Sequence, residues 1–319
     1  MADRRRGGAG RAGRPRVLVV LGSGRSGSTL LEAALGDVPG VEALGEVVHL
    51  PERALRDDEL CACGLAFSDC PFWVAVGKNA FDGWDRVDAD ELIALRHEVV
   101  RTRHLPRLLA GSPTSGGRLR RDALVERLDA LYRAAAEESG ARLLVDSSKM
   151  PAWAALVAYA DVDVHFLHVV RDPRGVAYSL GKEVVRPEAA GTDLMHRTTP
   201  REAALWWSAF ELAASALRAR HPGRVTTVRY EDFVADPRGT VRTAVEAAGV
   251  AVTEADLAHV SRDGVVLGTH HQVAGNPVRF TTGPVPIRPD QTWRRSLPVR
   301  DRRTVELLTT GIRRLRGYR

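Results

Sequence analysis

The stretch that most constrains this chain is VLVVLGSGRSGSTLLEAAL, from Val17 to Leu35. An apolar run enters a glycine-serine turn, and an apolar-periodic helix pattern follows from Ser28. That order predicts a buried parallel strand, a tight loop and a helix whose N-terminus faces the loop. Such a loop offers an anion unpaired N–H groups and the positive end of the helix dipole. Gly22, Gly24 and Gly27 allow close backbone approach, and Ser26, Ser28 and Thr29 add hydroxyl donors. The Gly22-to-Gly27 spacing is that of the GxxxxGK[ST] nucleotide loop, but Ser28 stands in place of the lysine. Arg25 is the cation inside the loop, and its planar fork suits several oxygens at once. The loop therefore reads as one for a phosphate that is not handled as a magnesium-bound triphosphate.

The same strand-then-polar-turn logic recurs. Val41–Leu44 ends at Gly45-Glu46, RLLVDSSK ends in the turn Asp146–Lys149, Val164–Val170 ends at Arg171–Arg174, and RVTTVRYEDF ends at Tyr230–Asp232. Helix patterns follow the loop at Ser28 and span Arg121–Glu138, Thr240–Ala248, Glu254–Ser261 and Arg300–Leu315. Ala110–Gly117 has turn chemistry throughout. Strands separated by helices predict an α/β fold, three layers α/β/α around a central parallel sheet. Ligands in such folds bind at the carboxyl ends of the strands, where these polar turns gather. We expect a basic, unstructured tail over residues 1–15 and one domain over 16–319. Within it, residues 47–120 are read as an acceptor-side insertion and 262–300 as a loop covering the nucleotide.

Composition narrows the class. The chain has 319 residues, 44% hydrophobic and 27% charged, as in ordinary globular proteins. The net charge of +6 suggests an anionic partner, although the Arg-rich opening MADRRRGGAGRAGRPR supplies much of it. No window approaches the ~18 apolar residues of a membrane span, and Val17–Leu21 is too short for a signal-peptide core. The expected location is the cytoplasm, consistent with only three cysteines.

GSGRSGSTLLEAAL resembles the 5′-phosphosulfate loop of sulfotransferases that use 3′-phosphoadenylyl sulfate (PAPS). VVRDPRGVAYSL resembles that family's 3′-phosphate motif, an arginine and a serine eight residues later, here Arg171 and Ser179. The likeness covers most of residues 17–300 and leans towards the tyrosylprotein and the bacterial carbohydrate and natural-product branches. It implies PAPS as donor, 3′,5′-adenosine bisphosphate (PAP) as product, and no required metal. It implies that Gly24, Arg25, Ser26, Gly27, Ser28 and Thr29 hold the 5′-phosphate. Gly45-Glu46 resembles the branches with a glutamate base, which assigns Glu46 the acceptor proton, with His49 as rival. Lys149 matches a lysine that supports the transferring sulfuryl group. Tyr230 resembles a tyrosine near the nucleotide. HHQVAGNPVRF, His270–Phe280, resembles the late loop over the adenosine, with Asn276 and Arg279 as contacts and His270 and His271 on the acceptor side.

Cys61, Cys63 and Cys70 fall one short of a four-ligand zinc site. His49 or Asp69 could complete it only at a spacing unlike known knuckles, so the cysteines are read with Phe67, Phe72 and Trp73 as an acceptor-side loop. Two rival functions follow from the residues. A small-molecule kinase with a degenerate loop would need an acidic magnesium ligand, for which Asp146 is the candidate. A non-catalytic anion- or RNA-binding protein would rely on the Arg-rich tail. The expected partner is instead a small-molecule or carbohydrate acceptor, such as a sugar, glycolipid, nucleoside or phenol, and not a nucleic acid.

Overall fold

The structure is a computed structural model and describes residues 13–182 and 197–319. Most of the basic tail thus lies outside the described residues. Five strands form one parallel sheet: β1 Arg16–Leu21, β2 Val41–Gly45, β3 Leu143–Lys149, β4 Asp163–Val170 and β5 Val225–Arg229, in the order β2-β3-β1-β4-β5. After β1 the chain moves to one edge, returns beside β1 as β3, and then crosses to the other side as β4. The connections leaving the neighbours β1 and β4 therefore run to opposite sides, the arrangement that opens a crevice at the carboxyl edge between them.

β1 shows why its sequence is apolar without interruption. Val17, Val19 and Leu21 pack into a core with the helices Ser115–Ser139 and Pro151–Val157. Leu18 and Val20 point the other way, into a core with the helices Ser28–Gly36 and Pro237–Ala247. Side chains alternate along a strand, so a strand covered on both faces must be apolar at every position.

Several elements differ from expectation. The loop at Ala110 ends early: Thr114 accepts the Gly117 N–H at 3.1 Å, and this cap starts the helix at Ser115 despite two glycines in its first turn. The segment Glu254–Ser261 forms only the single turn Ala255–Leu257, because Val260 bridges to Val265. Residues 262–300 hold an antiparallel pair, β6 Gly264–Leu267 and β7 Gly283–Pro286, which their broken periodicity conceals. The helix Pro200–Arg220, opened by a Thr199–Glu202 capping box, is absent from the sequence reading altogether. No helix among the described residues is long and apolar enough to cross a membrane.

Candidate active site

The turns leaving all five parallel strands converge on one cleft of about 610 Å3. From β1 come Gly24, Arg25, Gly27, Ser28 and Thr29. β2 and β3 contribute Glu46, His49 and Lys149; β4 and β5 contribute Arg171, Ser179 and Tyr230. Asn276 enters from the late loop.

The helix Ser28–Gly36 starts without a side-chain cap and without an acidic residue in its first turn. Its N–H groups and dipole are thus left for something else. Ser26 is fully buried, and its Oγ has no hydrogen-bond partner. Gly27 sits at φ +84°, and a Cβ there would lie 2.6 Å from the ring of Tyr230. Glycine therefore serves both the left-handed turn and the close packing of the tyrosine. The guanidinium of Arg171 stacks 4.3 Å from the centre of the same ring, donates to the Arg25 carbonyl at 3.0 Å and pairs with Asp290 at 3.0 Å. Loop, tyrosine and arginine form one braced unit.

The facing wall is built of charges. Glu46 follows β2 and caps the 3₁₀ turn Val47–His49. Residues three apart eclipse in such a turn, which brings His49 Nε2 to 3.7 Å from Glu46 Oε2. The ammonium of Lys149 donates to Glu46 Oε1. Lys149 ends β3 at φ +63°, beside an irregularity in its pairing with β1, and Arg25 has φ +66°. Left-handed backbone at non-glycine residues is costly, and it clusters where geometry is functional. Burial pushes the Glu46 carboxyl up, but Lys149, His49 and Arg53 more than offset this and hold it below the ordinary value. Glu46 is therefore a carboxylate at neutral pH. Burial pushes the His49 imidazole down to about 4, with Arg96, Arg53 and Lys149 adding to the effect against the pull of Glu46, so it is neutral.

Two residues that sequence reasoning missed support this wall. Glu32, one turn into the loop's helix, is buried; its carboxylate accepts from the Gly45 N–H at 2.8 Å and from the Ser147 hydroxyl. It ties the ends of β2 and β3 to the phosphate loop, and burial raises its carboxyl to about 7. An acidic residue inside an otherwise apolar helix stripe was the available signal. Arg53 lines the cleft and pairs with Glu59 at 2.6 Å.

Other predicted residues lie elsewhere. Arg279 is buried and donates to the Gly275 and Leu60 carbonyls, so it braces the late loop and does not line the cleft. His270 is buried against Gly36, 3.3 Å from Asp37, and His271 lies among the three cysteines. Neither lines the cleft, because the backbone of 271–273 runs beside Ala62 and β2 and fixes both rings on its far sides. Arg174 is held by Asp172 and Glu306, and Trp293 packs beneath it. Asp146 is fully buried, accepting from Tyr132 at 2.6 Å, Trp153 at 2.7 Å and the Ser148 N–H at 2.9 Å. Its oxygens are spent on the core and do not reach the cleft, which removes the acidic ligand that the kinase reading needs.

Among solved structures, the sulfotransferase domain from the curacin biosynthetic pathway is 17% identical over 96% of this chain and 98% of that one, with a TM-score of 0.52. The sulfotransferase domain of the Synechococcus PCC 7002 olefin synthase is 20% identical over 96% and 98%, at a TM-score of 0.47. Retinol dehydratase in complex with retinol and PAP is 15% identical over 93% and 81%, at 0.38. No curated protein matches the chain in sequence. Residues 15–254, which carry β1 to β5 and every strand-end turn of the cleft, match the sulfotransferase family. The chain belongs to the sulfotransferase family.

Proposed function

We propose that this sulfotransferase moves a sulfuryl group from PAPS to a hydroxyl of a small-molecule or sugar acceptor, with Glu46 as general base. The observation that carries the reading is the pairing of an uncapped phosphate loop with a buried, braced Arg171 across one cleft. The residues fit the donor. Orphaned N–H groups and the unpartnered Ser26 hydroxyl suit a 5′-phosphate, and Arg171 with Ser179 suits a 3′-phosphate. A bound PAPS would supply an activated sulfuryl group whose leaving group is a phosphate.

The chain's own groups do the rest by position and charge. Glu46, ionised and at the cleft wall, takes the acceptor's hydroxyl proton. Lys149 and Arg25 supply the positive charge that meets the negative charge developing on the oxygens of the transferring group. Lys149 is already held at this place by its pairing with Glu46. Gly275 leaves room beside the base: a Cβ there would lie 3.1 Å from Glu46 Oε1.

Incubation with sulfur-labelled PAPS and a panel of sugars, nucleosides and phenols should yield labelled acceptor together with PAP. Phosphate-labelled ATP with magnesium should label nothing. Phosphorylated acceptor without sulfated acceptor would overturn the proposal.

A further inference from the structure

The four side chains Cys61, Cys63, Cys70 and His271 bring their ligand atoms within 4.8 Å of one another. The three cysteines come from one short loop and the histidine from some two hundred positions away. Tetrahedral zinc, with Zn–S near 2.3 Å and Zn–N near 2.0–2.1 Å, sets S···S at about 3.8 Å and S···N at about 3.6 Å. Cys63 Sγ and Cys70 Sγ are 3.7 Å apart. His271 Nδ1 is 3.3 Å from Cys70 Sγ and 4.0 Å from Cys61 Sγ. Cys61 and Cys70 are buried, so these thiols are packed against one another and not simply exposed.

The surroundings are those of a built site. The His271 ring stacks on Phe72 at 5.0 Å and 17°, which fixes its plane. Its carbonyl accepts from the Trp73 indole at 2.6 Å. Cys70 is the residue that opens the helix Pro71–Phe81, so its sulfur sits at the positive end of that helix. The stacking of Phe72 and the Trp73 bond to the His271 carbonyl are outer contacts of the kind that orient a metal ligand. The three-thiol count had set the sequence against a metal; the fold supplies the fourth donor, from neither His49 nor Asp69.

We propose that Cys61, Cys63, Cys70 and His271 form a structural zinc site that staples the loop after β2 to the start of the late loop. A closed set of three thiolates and one imidazole is the donor chemistry of structural zinc, with no open position for catalysis. The staple acts on the base. Next to His271, Gln272 accepts from Ala62 at 3.1 Å, and Val273 donates to Leu44 at 2.9 Å and accepts from the Glu46 N–H at 2.8 Å. The metal would thus hold the strip of backbone against which Glu46 is set. The site stands independently of the donor assignment and needs no role for zinc in the transfer.

The test is elemental analysis of the full chain purified without added metal. We expect about one zinc per chain, released when the thiols are modified, and near zero for Cys63→Ser and His271→Ala. Replacing zinc by Co2+ in the wild-type chain should give thiolate-to-cobalt charge-transfer absorption and the visible bands of a tetrahedral ion, a readout that needs no variant to fold. A folded wild-type chain that carries no zinc and gives no such cobalt spectrum would overturn the proposal. So would a Cys63–Cys70 disulfide in the native protein.

Discussion

The two walls of the cleft are made differently. The wall at β1, β4 and β5 is built from backbone and packing: a glycine turned left-handed under Tyr230, an uncapped helix end, and Arg171 clamped by a ring, a carbonyl and Asp290. The wall at β2 and β3 is built from charges on short reaches of chain: Glu46, His49, Lys149 and Arg53, with Glu32 beneath. The first wall leaves a helix end without a cap, and its cation, Arg171, is fixed in place by Asp290 and the Arg25 carbonyl. In the second, the proposed base is already engaged by the proposed cation, so an arriving ligand exchanges one ion pair for new contacts. On the proposed function, the braced wall serves binding and the charge pair serves the chemistry.

Substitutions should separate the walls in the same way. The largest effect is expected for Glu46→Gln, a loss of about 10²–10⁴-fold in turnover with PAP affinity retained. The comparison is with His49→Gln, which should cost far less; the reverse ranking by steady-state kinetics would move the base to His49. On the opposite wall, Arg171→Gln should weaken PAP by about 10- to 100-fold, the worth of a charge-assisted contact, and leave 5′-AMP nearly unchanged. Calorimetry with both nucleotides checks this, and equal losses would mean that Arg171 only braces the loop. Gly27→Ala forces a side chain at φ +84° into Tyr230 and should destabilise the fold by about 1–3 kcal/mol, read as a lower melting temperature.

The smallest effect at neutral pH is expected for Glu32→Gln. The folded carboxyl titrates near 7 against an ordinary 4.5, so the native state keeps a proton that the unfolded chain has released. This contribution to stability is complete below about 4.5 and is lost as pH rises towards 7. Denaturant midpoints should fall across that window in the wild type and flatten in the variant.

The difference between the walls also explains what could be read from the sequence. The phosphate loop is local: strand, glycines and helix are contiguous, so their order predicts their geometry. Glu46 and Lys149 were legible as strand-end polar residues, but not their pairing, because β2 and β3 become neighbours only through the sheet order. His271 shows the limit most clearly. Its place beside Cys70 depends on residues 271–273 pairing next to β2, a contact with no local signal. Arg279 failed for a related reason: the loop's own carbonyls and that of Leu60 claim its guanidinium. Glu32 was hidden by its apolar helix, where a lone acid passes for a solvent-facing residue until the strand ends above it are seen.

On the proposed function, the cleft takes a 3′-phosphorylated adenosine nucleotide without a magnesium-bound triphosphate. Thermal unfolding with PAP, set against ADP with magnesium, tests it most directly. At a hundredfold excess over Kd, PAP should stabilise the fold by about 2.7 kcal/mol and raise the melting temperature accordingly, while ADP with magnesium leaves it unmoved. Stabilisation by ADP with magnesium and none by PAP would rule out a PAPS site in the cleft.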